Sequence, residues 1–455
     1  MTPLQLRGPA PPAVTHPRRA LLAGAAGNFV EWYEFGVYGC FATVIAARFF
    51  TPDTATGPAG AGPLLATYAS FAVAFFFRPV GALLFGRLGD RVGRRPTLIL
   101  VICLMTAATT LIGLLPTRAA VGEAAPWLLT LLRALQGLSA GGEFGGAVAL
   151  MTESAPPGQR GRHGAWQSFT VALGLLAGAG TAASAAGLLS PEALYDWGWR
   201  IPFLLALPLG AVALWLRTGL TEPAGAHRPE GSPEAPPDRP APSPGAVGPA
   251  PTVPAPTVPG TARAIALGIG RIMGWSAAGY TFLVVLPSYL QATLGASFQE
   301  ALIATTVANL GFAAAILPAG ILSDRVGRRP VMLCGALCVT LLALPLLHLL
   351  QDPGAAAPAK AAGLLGAGAA VGLLAGPGPA MLAEMFPASV RCTGLGLAYA
   401  LANAVFSGCA GLVVTALIAA TGDTDVPAYY AAGACALSAV ALASLRRDDH
   451  LRPLR

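Results

Sequence analysis

Long apolar runs alternate with short polar breaks along nearly the whole chain. A helix needs roughly 20 apolar residues to cross a bilayer. On that window the pattern predicts six spanning helices near 20–47, 64–88, 96–116, 125–153, 162–187 and 200–219. Six more are expected near 263–290, 298–322, 330–350, 360–384, 393–420 and 427–445. Between the two sets, residues 221–262 lose periodicity and fill with Pro, Ala and Gly, among them Pro233, Pro236, Pro237 and Pro240. Such a segment buries too little surface to fold and acts as a semi-extended linker. The expected organisation is a tail at 1–19, a six-helix bundle at 20–220, the linker at 221–262, a second bundle at 263–446 and a tail at 447–455.

The polar breaks show that the second set repeats the first. Asp90-Arg91-Val92-Gly93-Arg94-Arg95-Pro96 recurs residue for residue as Asp324-Arg325-Val326-Gly327-Arg328-Arg329-Pro330, 234 residues on. Glu153 precedes Arg160 by seven residues and Glu384 precedes Arg391 by seven, at an offset of 231. Two correspondences at nearly one spacing indicate an internal duplication. The expected fold is an all-α membrane protein of 12 transmembrane helices in two parallel six-helix repeats.

Composition supports the membrane reading. Of 455 residues, 55% are apolar and 11% charged, against roughly 25% charged in a soluble domain. The net charge of +7 would suggest a nucleic-acid partner in a soluble chain, but here its placement matters more, and no nucleic acid is expected. With the N-terminus inside, 21 of the 28 Lys and Arg fall on the cytoplasmic side and four outside. That bias puts both termini in the cytoplasm of a cell inner (plasma) membrane protein. Arg18-Arg19 before an apolar run resembles a twin-arginine export signal, yet the run continues through Glu31 and Glu34 without a cleavage site, as an uncleaved first helix does. The seven cysteines form no CxxC or Cys/His cluster, so neither a disulfide framework nor a metal site is expected. No nucleophile elbow or phosphate loop appears, so the chain reads as no enzyme, and Gly141–Gly146 falls within a helix.

Ionisable residues inside a span are costly and mark functional sites. Glu31 and Glu34 share one face of the first helix, Glu34 about 21 Å along it at 1.5 Å per residue. They are candidate proton carriers, or one side of a permanent Glu–Arg pair that only packs helices. Arg78 is a candidate for a substrate carboxylate or for the counter-charge of Glu34. Arg133 is a second anion ligand. Glu143, on the same helix as Arg133 but roughly 80° round it, is too far for a direct pair and joins the proton-coupling candidates. Arg271 is placed as a substrate ligand or as a snorkelling residue. Tyr38 and Tyr280 are candidate cavity residues. A gating set comprises Asp90, Arg91, Arg94, Asp324, Arg325, Arg328, Glu153, Arg160, Glu384 and Arg391, whose ion pairs could form in one conformation and break in another; topological anchoring is the other reading of the same loops.

Several stretches together resemble the metabolite:H⁺ symporter branch of the major facilitator superfamily: GNFVEWYEFGVYG (27–39), FFFRPVGALLFGRLGDRVGRRP (75–96), LLRALQGLSAGGEFGG (131–146), DWGWRIPF (196–203), PSYL (287–290), GILSDRVGRRP (320–330) and AEMFPASVRCTGLGLAYALANAVFSG (383–408). Within the branch, AYALANAVFSG and ALWLRTGLTEP (213–223) are most similar to α-ketoglutarate permeases. Glu34 stands where the branch usually carries Asp, and Gly411 where the permeases carry an acid. The chain stops at Arg455 without the coiled-coil extension of some osmosensory members, which points away from that type.

The resemblance implies alternating access, with proton-coupled uptake of α-ketoglutarate or a related dicarboxylate by a monomer in the lipid bilayer. The proton serves as coupling ion and no cofactor is needed. The alternatives are proton-coupled uptake of a zwitterionic solute such as proline or betaine, and a multidrug efflux pump.

Overall fold

A computed structural model describes residues 17–52, 61–92, 94–141, 143–218, 258–446, 451 and 454. Among them helix is the sole regular secondary structure. In chain order, α1 is Pro17–Cys40, running on through Ala42–Ile45 and a π-turn at Ala46–Phe50. Next come α2 (Ala61–Val92), α3 (Arg94–Leu114), α4 (Ala124–Ala140 then Glu143–Glu153), α5 (Arg160–Leu188) and α6 (Arg200–Leu204 then Ala206–Thr218). The second set begins with α7 (Val258–Tyr280, a π-turn at Thr281–Val285, then Leu286–Ala292). It continues with α8 (Phe298–Val326), α9 (Arg328–Gln351) and α10 (Ala357–Ala375 then Gly378–Met385). It ends with α11 (Arg391–Ala402, a π-turn at Asn403–Gly408, then Ala410–Thr421) and α12 (Val426–Ala443).

Ten spans among the described residues are long and apolar enough to cross a membrane, from Ala61–Phe85 to Val426–Ala443. The other two of the twelve are α1 and α4. Glu31 and Glu34 lower the hydropathy of α1, and α4 carries Arg133 and Gln136 and is divided into stretches of 17 and 11 residues. Most of the linker expected at 221–262 lies outside the described residues; α7 begins at Val258, ahead of the expected 263.

Local chemistry sets several boundaries. Ser297 caps α8, accepting from the Glu300 N–H at 3.2 Å while the Glu300 carboxylate accepts from the Ser297 N–H at 3.0 Å, a reciprocal capping box. Gly327, in the second copy of the repeated motif, turns the chain from α8 to α9 at φ 96°, where a side chain would be strained.

The duplication extends to the packing. A β-carbon added to Gly137 would run into the Ala74 carbonyl, and one on Gly141 into that of Arg78. In the second half Gly368 and Gly372 stand likewise against the carbonyls of Ala308 and Phe312. The glycines are 231 apart and their partners 234, the offsets of the repeated motifs. Small residues every fourth position let membrane helices approach to backbone contact, so α2 lies against α4 as α8 lies against α10. By the same offsets Arg78 corresponds to Phe312 and Arg133 to Leu364. The scaffold is duplicated and these two buried arginines are not.

Gly137→Val would force α2 and α4 apart. We expect the solubilised protein to lose roughly 1–3 kcal/mol of stability, the usual cost of overpacking, seen as a lower melting temperature. An unchanged melting temperature would contradict the close contact.

Candidate functional site

The α2–α4 contact brings two arginines to the face of α1 that carries the acids. On α1, residues 28, 31, 34, 35 and 38 recur every three or four positions and so share a face. Asn28 anchors one end to α5, donating to the Gln167 carbonyl at 3.1 Å and to Thr170 Oγ1 at 2.6 Å. Tyr38 anchors the other to α2, its hydroxyl 2.7 Å from Ser70 Oγ.

Between these anchors lies a charged cluster sealed from solvent. Glu31 (4% exposed), Glu34 (1%), Arg78 (3%), Arg133 (0%) and Gln136 (1%) are all buried. Arg78 Nη2 sits 2.9 Å from Glu31 Oε1, so Arg78 pairs with Glu31 rather than with Glu34. Arg133 Nη1 donates to Gln136 Oε1 at 2.7 Å. Gln136 Nε2 in turn donates to Thr109 Oγ1 of α3 and approaches Glu34 Oε2 at 3.4 Å. Glu34 Oε1, Arg133 Nε and Nη2, and Arg78 Nε have no hydrogen-bond partner among the described residues.

Aromatic faces hold the cations. The Arg78 guanidinium lies 4.4 Å from the Phe75 ring centre, 4.7 Å from Phe35 and 5.6 Å from Trp32. Arg133 lies 4.1 Å from Tyr38, 4.8 Å from Phe71 and 4.9 Å from Phe35. Phe35 is thus wedged between the two arginines. A desolvated cation over an aromatic face gains about 2 kcal/mol, which offsets part of the burial cost. The second half closes this layer with Tyr280, edge-on to Phe75 at 5.4 Å, its hydroxyl unpartnered among the described residues. Tyr399 stacks on Phe144 of α4 at 3.4 Å. The π-turns of α7 and α11 directly follow this layer, and such turns are frequent at functional sites.

Both ends of the central site are closed. At the end that holds the repeated motif, Asp324 accepts from the backbone N–H groups of Gly161 and Arg162 at 2.8 Å, capping α5 across the halves. Arg328 reaches Asp324 at 2.7 Å and Glu384 at 2.9 Å, and Arg160 lies 3.4 Å from Glu384. Arg391 pairs with Glu153. The two Arg–Glu links across the halves, 160–384 and 391–153, are counterparts under the duplication. On the opposite side Tyr68 bonds Ser288 and Thr43 donates to Gln291 at 2.9 Å. Above them opens a cavity of about 300 Å³ lined by Thr43, Pro63, Leu64, Ser288, Tyr289 and Thr415.

The structure therefore brings together Glu31, Glu34, Arg78, Arg133, Tyr38 and Tyr280 at the centre, and Asp324, Arg328, Glu384, Arg160, Glu153 and Arg391 at the end that holds the repeated motif. Arg91 and Arg325 are exposed. Arg271 stands apart from the cluster, donating to Ser444 Oγ at 2.8 Å and to the Ala441 carbonyl at 3.4 Å near the end of α12. The side chains of Asp90, Arg94 and Glu143 lie outside the described residues. Sequence reasoning missed Gln136 and the Trp32–Phe35–Phe71–Phe75 wall. Gln136 lies three residues past Arg133, one turn along the same face, and that spacing was the available signal.

Twelve helices in two parallel repeats, closed at both ends around a buried charged centre, define a multi-pass membrane transporter. Residues 20–222 match the family model described as "Sugar (and other) transporter", and residues 267–454 that described as "Major Facilitator Superfamily". The chain is 35% identical over 433 residues to the ectoine/proline transporter ProP of Corynebacterium glutamicum, covering 93% of this chain and 83% of the relative. It is 34% identical over 403 residues to the alpha-ketoglutarate permease of Escherichia coli (88% and 87%), and 33% over 418 residues to the citrate-proton symporter of Klebsiella pneumoniae (90% and 88%). The D-xylose-proton symporter structure superposes with a TM-score of 0.72 at 18% identity, covering 96% of this chain and 99% of that one. The chain belongs to the major facilitator superfamily, in the metabolite–proton symporter branch that its sequence resembles.

Glu384→Ala would leave Arg328, whose side chain is 2% exposed, without its main carboxylate. Breaking a buried pair in this way costs roughly 3–5 kcal/mol. We expect the start of α5 and the end of α10 to separate, read as longer distances between spin labels on them. Identical distance distributions in variant and parent would refute the role of this pair in closure.

Proposed function

We propose that the protein is a proton-coupled symporter of a small solute bearing a carboxylate, specifically a dicarboxylate such as α-ketoglutarate. The observation that carries this reading is Arg133: fully buried, yet with Nε and Nη2 unpartnered among the described residues and a carboxylate and an amide beside it. A guanidinium with spare N–H groups binds a carboxylate in two parallel bonds. Arg78 is the second anion ligand once Glu31 releases it. Glu34 and Glu31 carry protons that compensate the negative charge of the solute. The bundles at 20–220 and 263–446 rock about the linker at 221–262, the ion pairs around Asp324, Arg328 and Glu384 opening and closing the inner face. The protein acts as a monomer in the plasma membrane with both termini cytoplasmic.

A second reading, uptake of a zwitterion, is favoured by a specific observation. Arg78 already has Glu31, which leaves one arginine for one carboxylate, while Trp32, Phe75 and Tyr280 offer aromatic faces suited to a cationic group. The ectoine/proline transporter supports this reading, as the alpha-ketoglutarate permease supports the first.

In proteoliposomes, labelled α-ketoglutarate should accumulate when an inward proton gradient is imposed, and excess unlabelled dicarboxylate should block it. Vesicles that instead accumulate proline or betaine, with α-ketoglutarate a poor competitor, would move the protein to the second reading. Arg133→Ala should raise KM about 10–100-fold, the scale of a charged hydrogen bond worth roughly 1.5–3 kcal/mol; an unaltered KM would remove Arg133 as ligand. Glu34→Gln should still exchange solute across the membrane without concentrating it, and gradient-driven accumulation by that variant would remove Glu34 as proton carrier.

A further inference from the structure

The central site holds one polar side chain that bears no charge yet touches both proposed functions. Gln136 Oε1 accepts from Arg133, and Gln136 Nε2 donates toward Glu34 and Thr109. Both ends of the amide are therefore committed, one to the proposed solute ligand and the other to the proposed proton carrier. An amide offers an acceptor at one end and donors at the other, so its orientation depends on which neighbour needs a donor. With Glu34 ionised, the carboxylate only accepts, and the observed orientation gives Glu34 Oε2 and Thr109 Oγ1 a donor and Arg133 Nη1 an acceptor.

Protonation changes that balance. A neutral Glu34 carries an O–H that needs an acceptor, and the nearest amide is Gln136. Turning the amide over would let Oε1 accept from Glu34, while the Thr109 hydroxyl keeps donating to the Met105 carbonyl. It would also turn the NH₂ group toward the Arg133 guanidinium, which has donors only. Two donors face to face repel, so Arg133 leaves Gln136 with Nη1 added to the Nε and Nη2 groups already free for a carboxylate.

We propose that Gln136 is a positioning residue, an amide switch by which a proton on Glu34 releases Arg133 to bind the solute carboxylate. This rests on the reading of Arg133 and Glu34 given above. The proton enters from the outer solution onto a Glu34 carboxylate oxygen and leaves to the cytoplasm after the solute, when the amide turns back and recaptures Arg133. The charged and titratable groups facing Glu34 are Glu31 and Tyr33 on α1 and Arg133 on α4. α3 presents the Thr109 hydroxyl, while Arg78 on α2 and Tyr280 on α7 stand one layer further out. Because the amide does not titrate, it transmits the state of Glu34 as an orientation. This gives solute and proton a reciprocal coupling, each favouring the other's binding.

The test is the pH dependence of KM in proteoliposomes, with α-ketoglutarate and proline as alternative solutes. In the parent protein KM should fall by about tenfold as the outer solution is acidified, the size of one charge-assisted bond regained. Gln136→Met keeps the length of the side chain and removes both polar ends, so Arg133 is never held. Its KM should stay low at every pH, and its gradient-driven accumulation should fall much further than its gradient-free exchange. Gln136→Glu presents acceptors only, so Arg133 is never released, and KM should be about tenfold higher throughout. A methionine variant with the parental pH dependence of KM would overturn the switch. If that variant does not insert, the glutamate variant decides, and a parental KM profile there overturns it equally. A parent protein that accumulates neither solute on a proton gradient would refute the symport reading itself. Proton-driven accumulation with a pH-independent parental KM would keep that reading and discard the switch.

Discussion

Two carboxylates and two guanidiniums buried together within the membrane are the constraint around which this molecule is built. Each ion taken alone out of water costs several kcal/mol even after relaxation. The structure meets that cost in three ways: a direct pair between Arg78 and Glu31, an amide link from Arg133 toward Glu34, and aromatic faces around both cations. None of these compensations is complete, since hydrogen-bonding atoms on Glu34, Arg78 and Arg133 remain unpartnered among the described residues. An incompletely satisfied polar centre is poor for stability and suited to a site whose partners must change during a cycle.

The geometry of that centre depends on glycine. Gly137 and Gly141 let α4 approach α2 until backbone meets backbone, which sets Arg133 and Arg78 on either side of Phe35. The second half uses Gly368 and Gly372 in the same way, but Phe312 and Leu364 stand at the positions of the two arginines. The first half therefore carries the central buried charges, and the second supplies a wall of Tyr280 and Tyr399 and the network of Asp324, Arg328 and Glu384 that meets Arg160 of the first. The scaffold is duplicated while the chemistry of its two halves is unequal.

Much of this was legible in the sequence. The spans followed from apolar runs, the duplication from the repeated DRVGRRP motif, and the candidate site from the rarity of ionisable residues in a bilayer. What was not legible was pairing. Glu31 and Glu34 lie three residues apart on one helix, and spacing alone does not say which meets Arg78; the α2–α4 approach decides that it is Glu31. Arg271 is as apolar in its sequence context as Arg78, yet the end of α12 brings Ser444 to it. Gln136 carries no charge and so escaped a search for costly residues, although its hydrogen bonds make it central. The substrate class stays divided for a chemical reason: dicarboxylates and zwitterions both present a carboxylate to an arginine, and the relatives include carriers of each.

The central claim is that solute and proton move through one charged centre. Its most direct test is the pH inside proteoliposomes holding a trapped indicator, with no proton gradient imposed, after α-ketoglutarate or proline is added outside. The transported solute should acidify the interior as it enters, at a rate that follows solute uptake and is abolished in Glu34→Gln. Solute entry with no change of internal pH would contradict it.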